Sequence, residues 1–256
     1  MDTLVEGRHF TSETAPFLIG KKLANVSLSD IAAMGAKPLC LLVSLAIPKN
    51  KTGKWTQELY RGIEQALKSY RVLLTGGDTV GAPITVLSSV GIGETEKPIY
   101  REGAKPTDIL YATGSFGDSL KTGHHLNFTP RVNEIEWLLK HTVISALTDA
   151  SDGLARSVEL LTTEQGLGAM LDLDKVSLRG NPKQTIQSFS HALFDGEDFE
   201  LVFASKEIPS RILLNFEKKF KIPLRAVGKV LRKKNLTFFW NKIPVPCKRI
   251  PFDHFS

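Results

Sequence analysis

Acidic residues beside glycine or serine recur along the chain, and they are the residues best suited to chemistry. Asp78 follows an apolar run and a Gly-Gly pair in residues 73–79, and the other acidic residues stand in 27–31, 148–153 and 196–198. Paired glycines let a backbone come close to a ligand. An all-oxygen carboxylate set suits Mg²⁺ or Mn²⁺, and protein-bound Mg²⁺ commonly takes phosphate as a further ligand. The pattern predicts a metal site that handles phosphate groups, although aspartate at a strand end is also ordinary turn chemistry.

Motifs for other kinds of phosphate chemistry are missing from the sequence. It contains no Gly-x-x-x-x-Gly-Lys-Ser/Thr loop, and Gly91-x-Gly93 lacks the third glycine of a dinucleotide fingerprint. Neither a Gly-x-Ser-x-Gly elbow nor a kinase His-Arg-Asp occurs. His124 and His125 are adjacent, and adjacent side chains rarely point the same way. Metal-bound carboxylates would therefore have to hold any nucleotide.

Composition is typical of a globular protein, with a formal net charge of +6 that would attract anionic ligands. The basic residues are dispersed apart from 232–234, which argues against a nucleic-acid partner. Cys40 and Cys247 give no disulfide framework, and we expect a cytoplasmic protein. The first ten residues lack the apolar core of a signal peptide. The most apolar run, 39–48, is too short to span a membrane, so no membrane partner is expected.

The elements that must position these carboxylates can be predicted from residue patterns. Residues 39–47 indicate a buried strand, and 72–74 a second one that stops at the glycine pair. Apolar residues from Trp55 to Tyr70 follow one face of an amphipathic helix. Residues 16–35 read as helical with a break at 27–29, after which Ser29 or Asp30 would cap a second helix.

Turn residues around 100–106 mark the predicted boundary between two domains, 1–104 and 105–256. The first would be an ATP- and Mg²⁺-binding domain. Beyond the boundary, strands and helices alternate, but some neighbouring strands have no crossover helix between them. The predicted fold class is therefore α+β (mixed α/β), with two domains that each consist of a mixed sheet with helices packed on it.

An ordered set of motifs spans essentially the whole chain and resembles the thiamine-monophosphate kinases, members of the aminoimidazole ribonucleotide synthetase superfamily. As evidence for this resemblance, the motif at Asp30 with its Met-Gly-Ala is specific, and Gly-Gly-Asp-Thr alone is weak. The whole set in this order is strong evidence. The motifs are Asp-Thr-Leu-Val-Glu-Gly-Arg-His-Phe at 2–10, Leu-Ser-Asp-Ile-Ala-Ala-Met-Gly-Ala-Lys-Pro at 28–38, Gly-Gly-Asp-Thr at 76–79, Arg-Glu-Gly-Ala-Lys-Pro-Thr-Asp at 101–108, Ser-Asp-Gly-Leu at 151–154 and Gly-Glu-Asp-Phe-Glu-Leu at 196–201.

The resemblance implies ATP-dependent phosphorylation of thiamine phosphate to thiamine diphosphate, with several Mg²⁺ ions, a homodimer and a synthetase-like fold. Carried over by position, the metal ligands would be Asp2, Asp30, Asp78, Asp149 and Asp152. The ATP contacts would be Gly77, Asp78, Arg101 and Ser151, and the thiamine phosphate site would include His9, Glu197 and Phe252. No residue is implied as a general base. Without the resemblance, His9 beside Phe10 would be read as a packed residue and Arg101 as a solvated charge.

The chain departs from the family at identifiable positions. Relatives carry a segment ahead of the Asp2 position with a Gly-Asp-Asp motif, so the resemblance implies metal ligands and a strand that precede Met1. Asp195 stands where glycine is usual, and Phe199 and Phe252 replace tyrosines. Two alternatives to the kinase stay open. One is another synthetase of the superfamily, for aminoimidazole ribonucleotide or selenophosphate, and the other is an inactive nucleotide-binding module left by N-terminal truncation.

Overall fold

The computed structural model describes residues 1–51, 53–180 and 182–246. Within these ranges the backbone forms two compact units. Unit 1 comprises Met1–Ala32, Ala36–Glu96 and His125–Val132. Unit 2 comprises Ala33–Gly35, Lys97–His124 and the described residues from 133 onward. The boundary predicted at 104/105 remains a prediction, and each unit is described here by itself.

Unit 1 is built on a four-stranded sheet with the strand order β1-β4-β2-β3. Only β2 and β3 are parallel, and α2 supplies the crossover that a parallel pair needs. Its elements are β1 (Asp2–Val5), α1 (Pro16–Ala33), β2 (Lys37–Ile47), α2 (Lys54–Lys68), β3 (Leu73–Gly81) and β4 (Val86–Glu94).

Alternation along β2 gives the sheet two different faces. Leu41, Val43 and Leu45 are buried, whereas their neighbours on the other face are partly or fully exposed. On the buried side, α1 and α2 cross at two glycines: a Cβ on Gly20 would lie 1.9 Å from the Leu59 carbonyl oxygen, and one on Gly62 would lie 1.9 Å from that of Phe17. Only glycine at both positions lets the two helix backbones pack this closely.

Two predictions for unit 1 are wrong. The helix α1 runs without a break through residues 27–29, because the hydroxyl of Ser27 lies 2.8 Å from that of Ser89 and the polar side chain is satisfied while buried. Asp30 therefore lies inside α1 and caps no second helix. The strand β3 neither stops at the glycine pair nor is buried, because it is the edge strand of its sheet and continues to Gly81.

Unit 2 holds a seven-stranded sheet with the order β11-β10-β7-β9-β5-β8-β6, in which only β10 and β7 are parallel. Both sheets are therefore mixed, which confirms the predicted fold class. Apart from α3 (His124–Asn127), most of which belongs to unit 1, the remaining elements are those of unit 2: β5 (Ile109–Thr113), α4 (Val132–Leu139), β6 (Ile144–Asp149), α5 (Leu154–Leu161), β7 (Gly168–Asp172), α6 (Ile186–Phe194), β8 (Leu201–Ser205), α7 (Ser210–Phe220), β9 (Leu224–Leu231), β10 (Leu236–Trp240) and β11 (Ile243–Val245).

The core of unit 2 lies between the sheet and the helices α5 and α6. Leu154, Val158 and Phe189 from these helices are fully buried against Leu110 and Val202 of the central strands. This packing fixes the end of β6 and the start of β8, which carry the predicted site residues of this unit. Among the described helices, none is both long and apolar enough to cross a membrane.

Candidate functional site

The first two predicted metal ligands, Asp2 and Asp30, both lie in unit 1, one at the start of β1 and the other in the last turn of α1. Asp2 lies opposite Ser89 in the sheet, and the Ser89 hydroxyl donates a hydrogen bond to the Leu23 carbonyl of α1. Asp2 is therefore on the helix side of the sheet, where α1 ends. The α-amino group of Met1 lies 3.6 Å from a carboxylate oxygen of Asp30. Asp2 and Asp30 therefore lie on the same side of the sheet, and we call them the carboxylate pair of unit 1.

Asp78 lies apart from this carboxylate pair. Across the sheet, Asp78 is in register with Ser44 of β2, Ser88 of β4 and Thr3 of β1, so all four lie on one face. Asp2 precedes Thr3 in β1 and therefore lies on the opposite face. The edge strands β3 and β1 are three strand spacings apart, or about 14 Å. Within unit 1 by itself, Asp78 and Asp2 cannot coordinate the same ion.

Strand packing gives a reason for Gly77 that the sequence does not suggest, and its predicted contact with ATP stays a prediction. A Cβ on Gly77 would lie 1.8 Å from the Val43 carbonyl oxygen, whereas nothing lies within 4 Å of one on Gly76. The backbone of β2 therefore excludes a side chain at Gly77. Asp78 is exposed, and its carboxylate accepts a hydrogen bond from the Thr79 amide at 2.8 Å.

His9 stabilises the turn that follows β1. The Val5 amide donates to His9 Nδ1 at 3.0 Å, so the neutral ring carries its proton on Nε2. The carbonyl oxygen of His9 accepts a hydrogen bond at 3.1 Å from Lys22 Nζ, whose side chain is fully buried in α1. At the start of the same turn, hydrogen bonds from Lys51 and Thr85 lower the pKa of Glu6. The ring of His9 thus has a structural role, and its predicted substrate role stays a prediction.

The second group of predicted residues comes together in unit 2, where two loops are hydrogen-bonded along their backbones. The metal loop, 149–153, is named for its two predicted ligands and begins at the last residue of β6. The substrate loop, 196–199, is named for the predicted role of Glu197 and precedes β8. The Glu197 amide donates to the Ser151 carbonyl at 2.6 Å, and the Phe199 amide donates to the Ala150 carbonyl at 2.9 Å. A Cβ on Gly196 would lie 2.5 Å from the Ser151 carbonyl oxygen, so this close contact requires glycine. The predicted metal, ATP and substrate residues of this unit, Asp149, Asp152, Ser151 and Glu197, are therefore neighbours.

Arg101 lies in a segment that runs beside β6, the strand that ends at Asp149. The Leu147 amide donates to the Tyr100 carbonyl at 3.1 Å, and a Cβ on Gly103 would lie 2.3 Å from the Ser145 carbonyl oxygen. The Arg101 residue itself is exposed. Phe252, the last predicted substrate residue, lies outside the described residues.

Sequence reasoning missed the ion pair of Asp198 and Arg179 beneath the substrate loop. Asp198 is fully buried, and Arg179 approaches one of its carboxylate oxygens at 2.8 Å. Burial raises the pKa of Asp198 to about 7, against the opposing effects of Arg179 and the Gly117 amide. Asp198 stands inside the Gly-Glu-Asp-Phe-Glu motif and could have been found there. Arg179 belongs to no motif, so no sequence signal pointed to it.

A third group of possible ligands borders the substrate loop. Donor atoms of Asp118, His191 and Asp195 all lie within 4.8 Å of one another. His191 Nδ1 and Asp195 already share a 2.8 Å hydrogen bond one turn apart at the end of α6. This contact is sufficient to account for their proximity, and none of the three is a predicted metal ligand.

Comparison with known proteins places the fold and the motifs in one family. The family profile "AIR synthase related protein, N-terminal domain" matches residues 1–95. The thiamine-monophosphate kinase of Rhodopirellula baltica is 35% identical over 251 residues, which cover 94% of this chain and 77% of that protein. The thiamine-monophosphate kinase of Buchnera aphidicola subsp. Acyrthosiphon pisum is 30% identical over 280 residues, which cover 100% and 86%.

A solved structure agrees with these similarities. AaThiL complexed with AMPPCP and TMP has a TM-score of 0.80 and 25% sequence identity to this chain, covering 95% of it and 83% of AaThiL. The predicted synthetase-like fold is therefore confirmed. The identity to the Rhodopirellula baltica enzyme extends over nearly the whole chain. The chain belongs to the thiamine-monophosphate kinase family of enzymes.

Proposed function

We propose that the chain transfers the γ-phosphoryl group of ATP directly to the phosphate of thiamine phosphate, giving thiamine diphosphate and ADP. The observation that carries the proposal is the backbone pairing of the metal loop with the substrate loop in unit 2. It puts the candidate ligands Asp149 and Asp152 beside Glu197, the candidate thiamine phosphate residue. Family membership supplies the reaction.

The candidate ligands fit Mg²⁺ in chemical type. They are all carboxylates, Asp30, Asp78 and Asp152 are exposed, and the carboxylate pair of unit 1 offers oxygen donors on one side of its sheet. Asp2 and Asp30 would hold one ion, Asp149 and Asp152 another, and Asp78 a further one. When bound, Mg²⁺ would neutralise phosphate charge and orient the phosphate oxygens. Gly77, Asp78, Arg101 and Ser151 would contact ATP.

The acceptor chemistry agrees with a site that has no dedicated base. The attacking group is a phosphate oxygen of thiamine phosphate, which is already anionic at neutral pH, so deprotonation is not the difficulty. Repulsion between two anionic phosphates is the main barrier, and positioning and charge neutralisation are how phosphoryl transfer is generally catalysed. Arg101 would add positive charge near ATP. Glu197 would attract the positively charged thiazolium ring of thiamine phosphate.

We also propose that the chain works as a cytoplasmic homodimer, with no membrane or nucleic-acid partner. The sheet face of unit 1 that is opposite to the helices also carries Asp78, and beside it three apolar side chains are exposed: Val80, Val90 and Ile92 are 50%, 38% and 47% accessible. Their partners in register, Ala46, Leu42 and Cys40, are only partly buried. An exposed apolar patch of this kind is typical of an interface between subunits. Two cysteines without a disulfide framework suit the cytoplasm.

The direct test is ADP production by the purified chain with ATP, Mg²⁺ and thiamine phosphate. We expect turnover that depends on both Mg²⁺ and thiamine phosphate. Asp78→Asn should lower kcat by about 100-fold or more, because a charge-neutralising ligand is lost. Glu197→Gln should mainly raise KM for thiamine phosphate. Glu136→Gln, a change at an exposed surface carboxylate of α4, is the matched control and should leave the kinetics unchanged.

The other outcomes of this assay separate the alternatives. ATP binding without thiamine-phosphate-dependent turnover would identify a binding module and reject the kinase. Turnover with aminoimidazole ribonucleotide precursors or with selenide would identify another synthetase of the superfamily. Wild-type rates in Asp78→Asn would remove Asp78 from the metal site. A Glu197→Gln variant that loses only thermal stability would make Glu197 structural.

A further inference from the structure

The carboxylate of Asp198 is the buried anchor of the substrate loop. It is 0% exposed and accepts hydrogen bonds from the Gly117 amide at 3.1 and 3.2 Å to its two oxygens. His124 Nε2 lies 3.0 Å from the carbonyl oxygen of the same residue. The side chain and the backbone of Asp198 are therefore both held.

Arg179 connects this anchor to the loop that follows β5. Its guanidinium contacts Asp198 at 2.8 Å, the Gly117 carbonyl at 3.2 Å and the Ser115 carbonyl. The side chain is 13% exposed, so these contacts are largely shielded from water. The guanidinium reaches these three acceptors from two nitrogen atoms, Nε and Nη2, whereas a lysine ammonium carries all its donors on one nitrogen.

Backbone strain on both sides of Asp198 indicates why the anchor is needed. Glu197 and Phe199 both have left-handed backbone conformations, with φ of 57° and 50°. Such conformations are unfavourable for residues other than glycine and persist only where the surroundings enforce them. The enforcing contacts here are the Asp198 side chain, the two bonds to the metal loop and a 2.6 Å bond from the Ser119 hydroxyl to the Glu197 carbonyl.

We propose that Asp198 and Arg179 are positioning residues for thiamine phosphate: the hydrogen-bonded contact between their buried side chains holds the substrate loop in the strained conformation that presents Glu197 beside the metal loop. The inference rests on the proposed function and deepens it. Neither residue is required to touch the substrate. This contact acts through the backbone of Glu197. Its loss should therefore impair the use of thiamine phosphate and leave the use of ATP nearly unchanged.

The single variants Asp198→Asn and Arg179→Gln should raise KM for thiamine phosphate by about tenfold or more while changing KM for ATP by less than about twofold. Arg179→Lys keeps the charge without the fork and should give an intermediate KM. Amide hydrogen exchange supplies a readout that does not depend on activity. The amides of Glu197 and Phe199 should lose protection in the variants, because they are the donors that hold the two loops together.

The double variant Arg179→Gln with Asp198→Asn separates positioning from stability. Each single change leaves a buried charge or polar group without its partner, and the double change removes both charges, so it should regain part of the lost Tm. We expect KM for thiamine phosphate to stay raised. Asp108→Asn is the control, because Asp108 is another fully buried aspartate of unit 2, with a 2.9 Å bond from the Lys105 amide. It should lower Tm without changing either KM.

Each outcome decides one statement. An inactive wild-type chain would reject the proposed function and this inference with it. An active wild type whose single variants lose exchange protection but keep KM for thiamine phosphate would overturn the inference alone. Recovery of that KM together with Tm in the double variant, or an equal rise of KM in Asp108→Asn, would also overturn it, since KM would then follow stability.

Discussion

Because its pKa is raised to near neutrality, Asp198 should make the stability of the protein measurably dependent on pH. Burial raises the pKa of Asp198 from its ordinary value of 3.8 to about 7 in the folded protein. Between these values the folded protein binds a proton that the unfolded chain releases. The contribution of this group to the free energy of unfolding is therefore fully present below about pH 4 and is lost as pH rises to about 7.

The slope from one such proton is at most about 1.4 kcal/mol per pH unit. Asp198→Asn keeps the shape of the side chain and removes its titration, so the stability advantage of the wild type over this variant should shrink between about pH 4 and pH 7. Urea unfolding of both proteins across that range measures the difference. An advantage that grows with pH would mean that Arg179 keeps Asp198 ionised and its pKa low.

At the scale of elements, the absence of a side chain at Gly77 lets β3 lie this close to β2. A Cβ on Gly77 would meet the Val43 carbonyl oxygen at 1.8 Å, while one on Gly81 of the same strand would meet nothing within 4 Å. We expect Gly77→Ala to lower the free energy of unfolding by at least about 1–3 kcal/mol, since backbone atoms must move. Gly81→Ala should change it by about 0.5 kcal/mol or less.

Chemical denaturation of the two alanine variants measures this contrast directly. Equal stabilities would show that β3 shifts freely and that the glycine pair is not needed for strand packing. If Gly77→Ala then kept full stability but lost ATP binding, Gly77 would be needed to let the backbone come close to ATP, as the sequence suggests.

The same scale shows what the sequence could predict about the fold. Strong periodicity predicted β2 and α2, and these predictions are confirmed by Lys37–Ile47 and Lys54–Lys68. The break predicted at 27–29 was wrong, because the hydroxyl of Ser27 is satisfied inside the helix by Ser89 of β4. The exposure of β3 depends on its edge position in the sheet, which local sequence does not specify. The strand β6 was also missed, because its acidic end resembles a loop.

The candidate site was also predictable only in part, because local sequence shows single loops but not which loops meet. Acidic residues beside glycine or serine can be recognised one loop at a time, and that gave Asp78, Asp152 and Glu197. Which loops meet is a property of strand order: Ser151 and Glu197 come together because β6 and β8 are neighbours. Arg179 had no signal, since its partners are backbone carbonyls and a buried carboxylate distant in sequence.

At the scale of the whole molecule, the apolar outer face of the sheet in unit 1 is the strongest pointer to self-association. Alternation places Leu73, Val80, Val90 and Ile92 on this face, and all four are exposed. The edge strand β3 also presents backbone groups that have no strand partner within the described residues. Leaving such a face in water is unfavourable, and a second copy of the chain would bury it.

We therefore expect a dimer at micromolar concentration that a charge on this face disrupts. Val80→Lys should weaken dimerisation by about tenfold or more, because a buried unpaired lysine opposes association by more than about 1.4 kcal/mol. Leu214→Lys is the matched control, since Leu214 is a comparably exposed apolar residue on α7 in unit 2. Sedimentation equilibrium over a range of concentrations gives the dissociation constant of each protein. A monomeric wild type at about 100 µM, or equal dissociation constants for all three proteins, would reject this face as the subunit interface.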